Sequence, residues 1–345
     1  MIGVCGFFKI FAITLSSCVL FKLIERFLRS FYIKDRTKKH VLITGCDSGP
    51  GYLLAKKLDT QGVFVIGTCA TEEGVDRLQN ECSSRLKAVN LDLSKEDDIE
   101  DFSEYLKSEL DGIGLHALVN NELANETVYT DFDNLNIDDY KKVFEGHILA
   151  VANMSSKFLP LLIKGRGRIV NVTSTAGRLI KPTSHSVPSC MSLAATEALS
   201  DCYRIVMKLH RQPVSVHVIE PGDFRLEDLE KKKEKYEAGF KRLTKAEFKK
   251  QEEEDKINLI GRIQFIINEQ ASDRLDMIVD AYEHAIFAKW PKKRYSINNK
   301  LNILLSYFPS FISDYLIINQ YRKFYNKAKK GKGSGIFDIN STSKN

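Results

Sequence analysis

The chain of 345 residues contains no C-x-x-C pair, and its seven cysteines, at 5, 18, 46, 69, 82, 190 and 202, are odd in number. That pattern argues against a disulfide or zinc framework and points to a reducing compartment. A dominant charge is lacking too: 51 basic against 45 acidic residues leave +6, spread along the chain. That excess is too mild and too dispersed to indicate a nucleic-acid partner. There is no internal repeat, and the N-terminal stretch has no uncharged run of spanning length, since the longest, from Ile10 to Phe21, holds twelve residues. What the chain does have is 43% hydrophobic and 10% aromatic residues, enough for the core of one domain with extensions.

Residues 1 to 24, MIGVCGFFKIFAITLSSCVLFKLI, are apolar apart from Lys9, Lys22 and a few small hydroxyls. With Lys9 snorkelling toward one face, the whole stretch reaches the length of a membrane anchor; a signal peptide or an interfacial helix is the alternative. Residues 25 to 38 read as a basic linker. Lys22, Arg26, Arg29, Lys34, Arg36, Lys38 and Lys39 outweigh Glu25 and Asp35, which keeps the following domain on the cytosolic side.

From residue 39 onward short apolar runs alternate with amphipathic stretches: HVLITG, FVIGTCA, LKAVNLDL, LHALVNN, GRIVNVTS and VSVHVIEPG. Near-continuous apolar strands separated by helices predict a parallel sheet covered on both faces, a single doubly wound α/β domain over residues 39 to 290. Within it, residues 225 to 256 carry 21 charges in 32 positions, with Leu229, Tyr236, Phe240 and Leu243 on one helical face. Residues 291 to 325 read as a C-terminal apolar helical extension, and 326 to 345 as a flexible tail with little to bury.

The first β-α turn, TGCDSGPG, sets Gly45, Ser48, Gly49 and Gly51 between an apolar strand and an amphipathic helix. Glycines let phosphate oxygens approach the backbone, and the helix N-terminus offers unpaired N–H groups. The Gly-x-x-x-Gly-x-Gly spacing resembles that of the short-chain dehydrogenase/reductase family. With LVNN, FLPLL, GRIVNVTSTAGR, EALSD, VIEPGDF and FPSFISD, the chain is similar to the membrane-associated 3-hydroxybutyrate, 17β-hydroxysteroid and retinol dehydrogenase branch over residues 39 to 320. The resemblance implies a Rossmann-type domain binding NAD or NADP through Gly45, Ser48, Gly49, Gly51, Asp92, Asn120, Pro221 and Gly222, with no metal. No acidic residue or arginine directly ends the second strand in GTCATEE, so the choice between the two cofactors stays open. Two departures weaken cofactor binding: Glu122 and Leu123 stand where the family has Ala-Gly, and Leu226 replaces its threonine.

Hydride exchange at a carbinol carbon requires a proton to move at its oxygen. In the family a tyrosine does this, a lysine four residues later lowers its pKa, a serine polarises the substrate and an asparagine supports a water relay. The resemblance puts Ser174 at the serine position, Ser189 at the tyrosine, Leu193 at the lysine and His147 at the asparagine. Tyr52/Lys56 and Tyr325/Lys329 have the Tyr-x-x-x-Lys spacing but lie away from the cleft in this alignment, and the alternative imidazoles are His147 and His185. On the helix that follows, Cys190, Ala194, Leu199, Cys202 and Val206 are expected to form the buried face.

These features lead to a membrane-associated relative of the family with impaired hydride chemistry and a nucleotide-binding or regulatory role. The alternative is an active oxidoreductase on hydroxysteroids or retinoids using His147 or His185. An apolar alcohol or ketone ligand, a membrane surface, and a homodimer or an active family member are the partners implied. The endoplasmic reticulum is the membrane the resemblance suggests, with a mitochondrial membrane as the alternative.

Overall fold

The computed structural model describes residues 4–121, 135–179, 187–222, 224, 272–298, 304, 306–309, 311–319 and 322. Among these residues seven strands form one sheet: β1 (His40–Ile43), β2 (Phe64–Cys69), β3 (Leu86–Asn90), β4 (Ala117–Asn120), β5 (Arg168–Val172), β6 (Ser215–Pro221) and β7 (Arg294–Ile297). Their order is β3-β2-β1-β4-β5-β6-β7 and every pairing is parallel. The helices are α1 (Val4–Arg29), α2 (Gly49–Thr60), α3 (Glu72–Glu81), α4 (Glu96–Glu109), α5 (Ile137–Phe144), α6 (Ala150–Lys157), α7 (Leu159–Gly165), α8 (Val187–Leu209) and α9 (Asp276–Phe287).

Alternate side chains of each strand serve opposite layers. Val41, Ile43, Val119, Val170 and Ile219 meet Leu54, Leu58, Leu78, Ile278 and Phe287, the layer of α2, α3 and α9. Leu42, Leu118, Ile169 and Val216 meet Ile99, Phe102, Met154, Leu162 and Met207, the layer of α4, α6, α7 and α8. Burial on both faces explains the unbroken apolar strands, and the expected doubly wound Rossmann-type domain is what forms. Strand order reverses between β1 and β4, so the crevice beyond their C-terminal ends is the place for a ligand.

Three expectations change. β7 lies inside the segment assigned to a helical extension; its four residues alternate in burial, but a strand of four residues carries almost no periodic signal. Residues 311–319 beyond it are helical. The basic linker is divided between α1, which continues to Arg29, and a docked segment, in which Tyr32 bridges Ala288 and the Ile33 N–H donates to Phe287 O at 2.9 Å. On α8 the expected face is buried at Cys190 and partly at Leu199, but Ala194, Cys202 and Val206 are exposed, while Ser189, Ser192, Leu193, Thr196, Glu197 and Ser200 turn inward. Residues 225–256 and 326–345 lie outside the described residues.

Among the described residues no single helix is long and apolar enough to cross a membrane. The bent pair of Ile137–Lys157 and Leu159–Gly165 matches a span in length and composition, yet its Val151, Met154, Leu161 and Leu162 are buried, most of them against the sheet.

Candidate active site

The turn after β1 is pinned on both sides, with the Thr44 N–H donating to Val119 O at 3.0 Å and the Cys46 N–H to Thr68 O at 2.8 Å. Gly45 takes φ 63°, a left-handed conformation that costs a side-chain-bearing residue. Ser48 precedes α2 in extended conformation without a side-chain cap, and Gly49 opens the helix, so the first-turn N–H groups keep their anion-binding capacity. At Gly51 a Cβ would stand 2.4 Å from Asn121 Nδ2 and 2.5 Å from Gly45 O, so only glycine fits.

Asn121 braces this turn. Its Nδ2 donates to Gly45 O at 3.1 Å, its Oδ1 accepts from the Tyr282 hydroxyl at 2.6 Å, and its N–H donates to Thr44 Oγ1 at 3.0 Å. Asn120, the residue the motif singled out, is turned the other way. Its Nδ2 donates to Asn171 Oδ1 at 2.8 Å and Ser155 Oγ at 3.2 Å, tying β4 to β5 and α6.

Asp47 carries a feature that the strand motif did not reveal. From the glycine turn its carboxylate accepts the Ala70 N–H at 2.8 Å, the Thr71 N–H at 3.1 Å and the Thr71 hydroxyl at 2.7 Å, which sets a negative charge just past the end of β2. An acidic group there is the feature that accommodates a ribose 2′-hydroxyl. Asp92, beyond β3, is occupied by its own turn: it accepts the Ser94 hydroxyl at 2.6 Å and N–H at 3.0 Å. The Ser94 hydroxyl is the main cause of its lowered pKa.

On the opposite wall Ser174 leads into a 3-10 turn, Thr175–Gly177, in extended conformation, buried and accepting the Ala176 N–H at 3.3 Å. Ser189 and Leu193 are buried one turn apart on α8. Leu193 joins Cys190 and Ala176 in an apolar cluster beside Ser174. His147 is fully buried in a one-turn π-helix, Glu145–Leu149, between α5 and α6. Its Nδ1 shares a 2.7 Å hydrogen bond with Ser192 Oγ of α8. Pro221 ends β6, and the Gly222 N–H donates to Ile297 O at 2.8 Å. His185, Glu122, Leu123, Leu226, Tyr325 and Lys329 lie outside the described residues. Tyr52 and Lys56 do pair, at 3.5 Å, but both bind Glu81 on α3, on the outer layer.

The inward face of α8 is held by hydrogen bonds and charge. The Thr173 hydroxyl and Arg294 both bind Glu197; Arg294 also reaches Glu220 at 2.9 Å and Asp201 at 2.9 Å, and Ser296 binds Glu220. Arg178 adds contacts of 3.3 Å to Glu220 and 3.1 Å to the Tyr307 hydroxyl. Burial, then the nearby Arg178 charge, lower the Arg294 pKa, though a guanidinium so lowered stays protonated. Nothing in the sequence marks this group, because Arg294 meets partners 97, 93 and 74 positions away.

A parallel sheet with its glycine turn at the point of strand reversal defines a dinucleotide-binding protein, and the free helix end and close glycine fit that ligand. The description "short chain dehydrogenase" matches residues 39–237, and the chain belongs to that family. Over 305 residues it is 34% identical to mouse retinol dehydrogenase 7, covering 86% of this chain and 93% of that one. It is 32% identical to human 17-beta-hydroxysteroid dehydrogenase type 6, covering 83% and 89%. Among solved structures, a Burkholderia phymatum short chain dehydrogenase/reductase in complex with NAD shares the fold at TM-score 0.63 and 17% identity, covering 79% of this chain and 93% of that one. A Streptomyces avermitilis short-chain dehydrogenase does so at TM-score 0.60 and 20% identity, covering 88% and 100%.

Proposed function

We propose that this protein is a membrane-associated, dinucleotide-binding member of the retinol and hydroxysteroid dehydrogenase type whose hydride chemistry is impaired, and that it acts as a nucleotide-binding or regulatory protein. The observation that supports this reading is that Ser189 and Leu193, which the resemblance sets at the family's tyrosine and lysine, are both buried on α8. A bound nicotinamide would supply or accept the hydride. Ser174 retains a hydroxyl that can orient a substrate oxygen, but Ser189 is a poor acid/base near neutrality, and Leu193 contributes an apolar contact where a charge is needed. Loss of a positioned acid/base costs about 10² to 10⁴ in rate.

Asp47 supports NAD over NADP, since a carboxylate past β2 repels a 2′-phosphate. The exposed Met191, Ile205, Val206 and Leu209 of α8 suit a second copy or an active family member. Membrane association is supported by α1, whose Phe11, Ile13, Leu20, Phe21, Leu23 and Phe27 are each more than half exposed.

The second reading, a working oxidoreductase on a lipid alcohol, is favoured by the His147–Ser192 hydrogen bond, which sets an imidazole against the catalytic helix. Titration of the full chain with NAD and NADP, followed by a hydride-transfer assay on retinol and hydroxysteroids, separates the two. Binding without turnover is expected; turnover abolished by His147→Ala or His185→Ala would establish the enzyme instead.

A further inference from the structure

We infer that the groove between the end of α1 and the turn from α9 to β7 binds the phosphate of an anionic phospholipid headgroup. The inference rests on the membrane reading above. The groove, about 1190 Å³, is lined by Lys22, Arg26 and Arg29 from α1 and by Lys292, Lys293 and Arg294 from the approach to β7, with Glu25 as its one carboxylate. It is held open by fixed structure. The Arg29 guanidinium donates to Trp290 O at 3.0 Å, His284 Nε2 donates to Arg29 O at 2.8 Å, and the Lys289 N–H donates to Phe31 O at 2.8 Å.

Internal partners account for only part of its positive charge. Glu25 binds Arg29 at 2.8 Å and Lys22 at 3.3 Å, and Arg294 is engaged by Glu197, Glu220 and Asp201. Among the described residues Arg26, Lys292 and Lys293 have no carboxylate partner; Lys292 lies over the Tyr295 ring, 5.9 Å from its centroid. Three cations around a groove of this size suit a phosphodiester.

The surroundings favour a lipid over a free anion. The exposed apolar side chains of α1 continue from the groove through Phe27, Ile24, Leu23 and Leu20. Trp290, half exposed, packs edge-on to Phe31 at 6.4 Å, and tryptophan is a residue of the bilayer interface. A phosphate in the groove thus stands at headgroup level with α1 in the adjoining apolar layer.

The test is flotation of the full chain with vesicles of phosphatidylcholine alone and of phosphatidylcholine mixed with phosphatidylserine, at low salt. The wild type should bind the anionic vesicles about 100-fold more tightly, the combined effect of three basic residues at an anionic surface. Arg26→Gln with Lys292→Gln and Lys293→Gln should bind both vesicles as the wild type binds the neutral ones, with an unchanged melting temperature. A triple variant that keeps the anionic preference overturns the site. Equal wild-type binding to both vesicles also overturns it and leaves the apolar anchor standing. Binding to anionic vesicles alone removes the anchor and keeps the groove, and binding to neither removes both. Release of the protein from anionic vesicles by millimolar inorganic phosphate, at matched ionic strength, would make the occupant a free anion and overturn the lipid.

Discussion

On the proposed reading Ser189 and Leu193 stand where the resemblance puts the residues of the proton step, and Leu193 clusters with Ala176 and Cys190. The functional consequence is local, because a serine and a leucine are compatible with the helix that holds them. Asp47 is the residue at which structure adds most to the motif. Its carboxylate folds back from the glycine turn to the end of β2, a place reached only because Ala70 and Thr71 present N–H groups there. Asp47→Ser should weaken NAD binding roughly ten-fold and relax rejection of NADP, since a charge-assisted hydrogen bond contributes about 1.5–3 kcal/mol. Titration with both dinucleotides checks this; unchanged affinity for each would remove Asp47 from the site.

At the level of elements, α8 was legible as a helix but not in its orientation. Apolar periodicity assigns Cys190, Ala194, Leu199, Cys202 and Val206 to the core, and Cys190 is buried, yet much of the layer behind α8 is polar: Asn171 donates to Ser200 Oγ at 2.9 Å and Thr173 to Glu197. The side of the helix that can satisfy those groups turns inward, leaving the apolar side open. Arg294 closes the arrangement. Arg294→Met should cost about 3–5 kcal/mol in urea unfolding, because Glu197 and Glu220 would be left as buried carboxylates without their main countercharge. Replacing both glutamates by glutamine in that variant should recover much of the loss. The glycine turn, by contrast, was readable, since its spacing, strand and helix are contiguous in the chain.

For the molecule as a whole, the end of the sheet where β4, β5 and β6 begin, opposite the cleft, governs acid stability. His116 Nε2 donates to Ile286 O at 3.0 Å and stacks on Phe287, while Arg168 binds Ala285 O and Ala288 O, both at 2.7 Å, so the end of α9 is capped by remote basic side chains. His217 Nδ1 donates to Lys292 O at 2.6 Å. Burial lowers the pKa of His116 and of His217 to about 4 each. The unfolded chain, with a histidine pKa near 6.5, then takes up protons first as pH falls. Stability should be full above about pH 6.5, decline between there and about pH 4, and level off for these groups below it, by about 3 kcal/mol per histidine. Urea midpoints across that range test it; His116→Gln with His217→Gln should flatten the slope.

Parallel-sheet class and nucleotide turn were determined by the sequence alone, because each depends on residues close together in the chain. Only tertiary structure decided that Asn121 rather than Asn120 braces the turn, which face of α8 is buried, that β7 completes the sheet, and where Asp47 and Arg294 act. Those outcomes depend on partners from 23 to 161 positions away, whose hydrogen bonds exist only once the layers have packed.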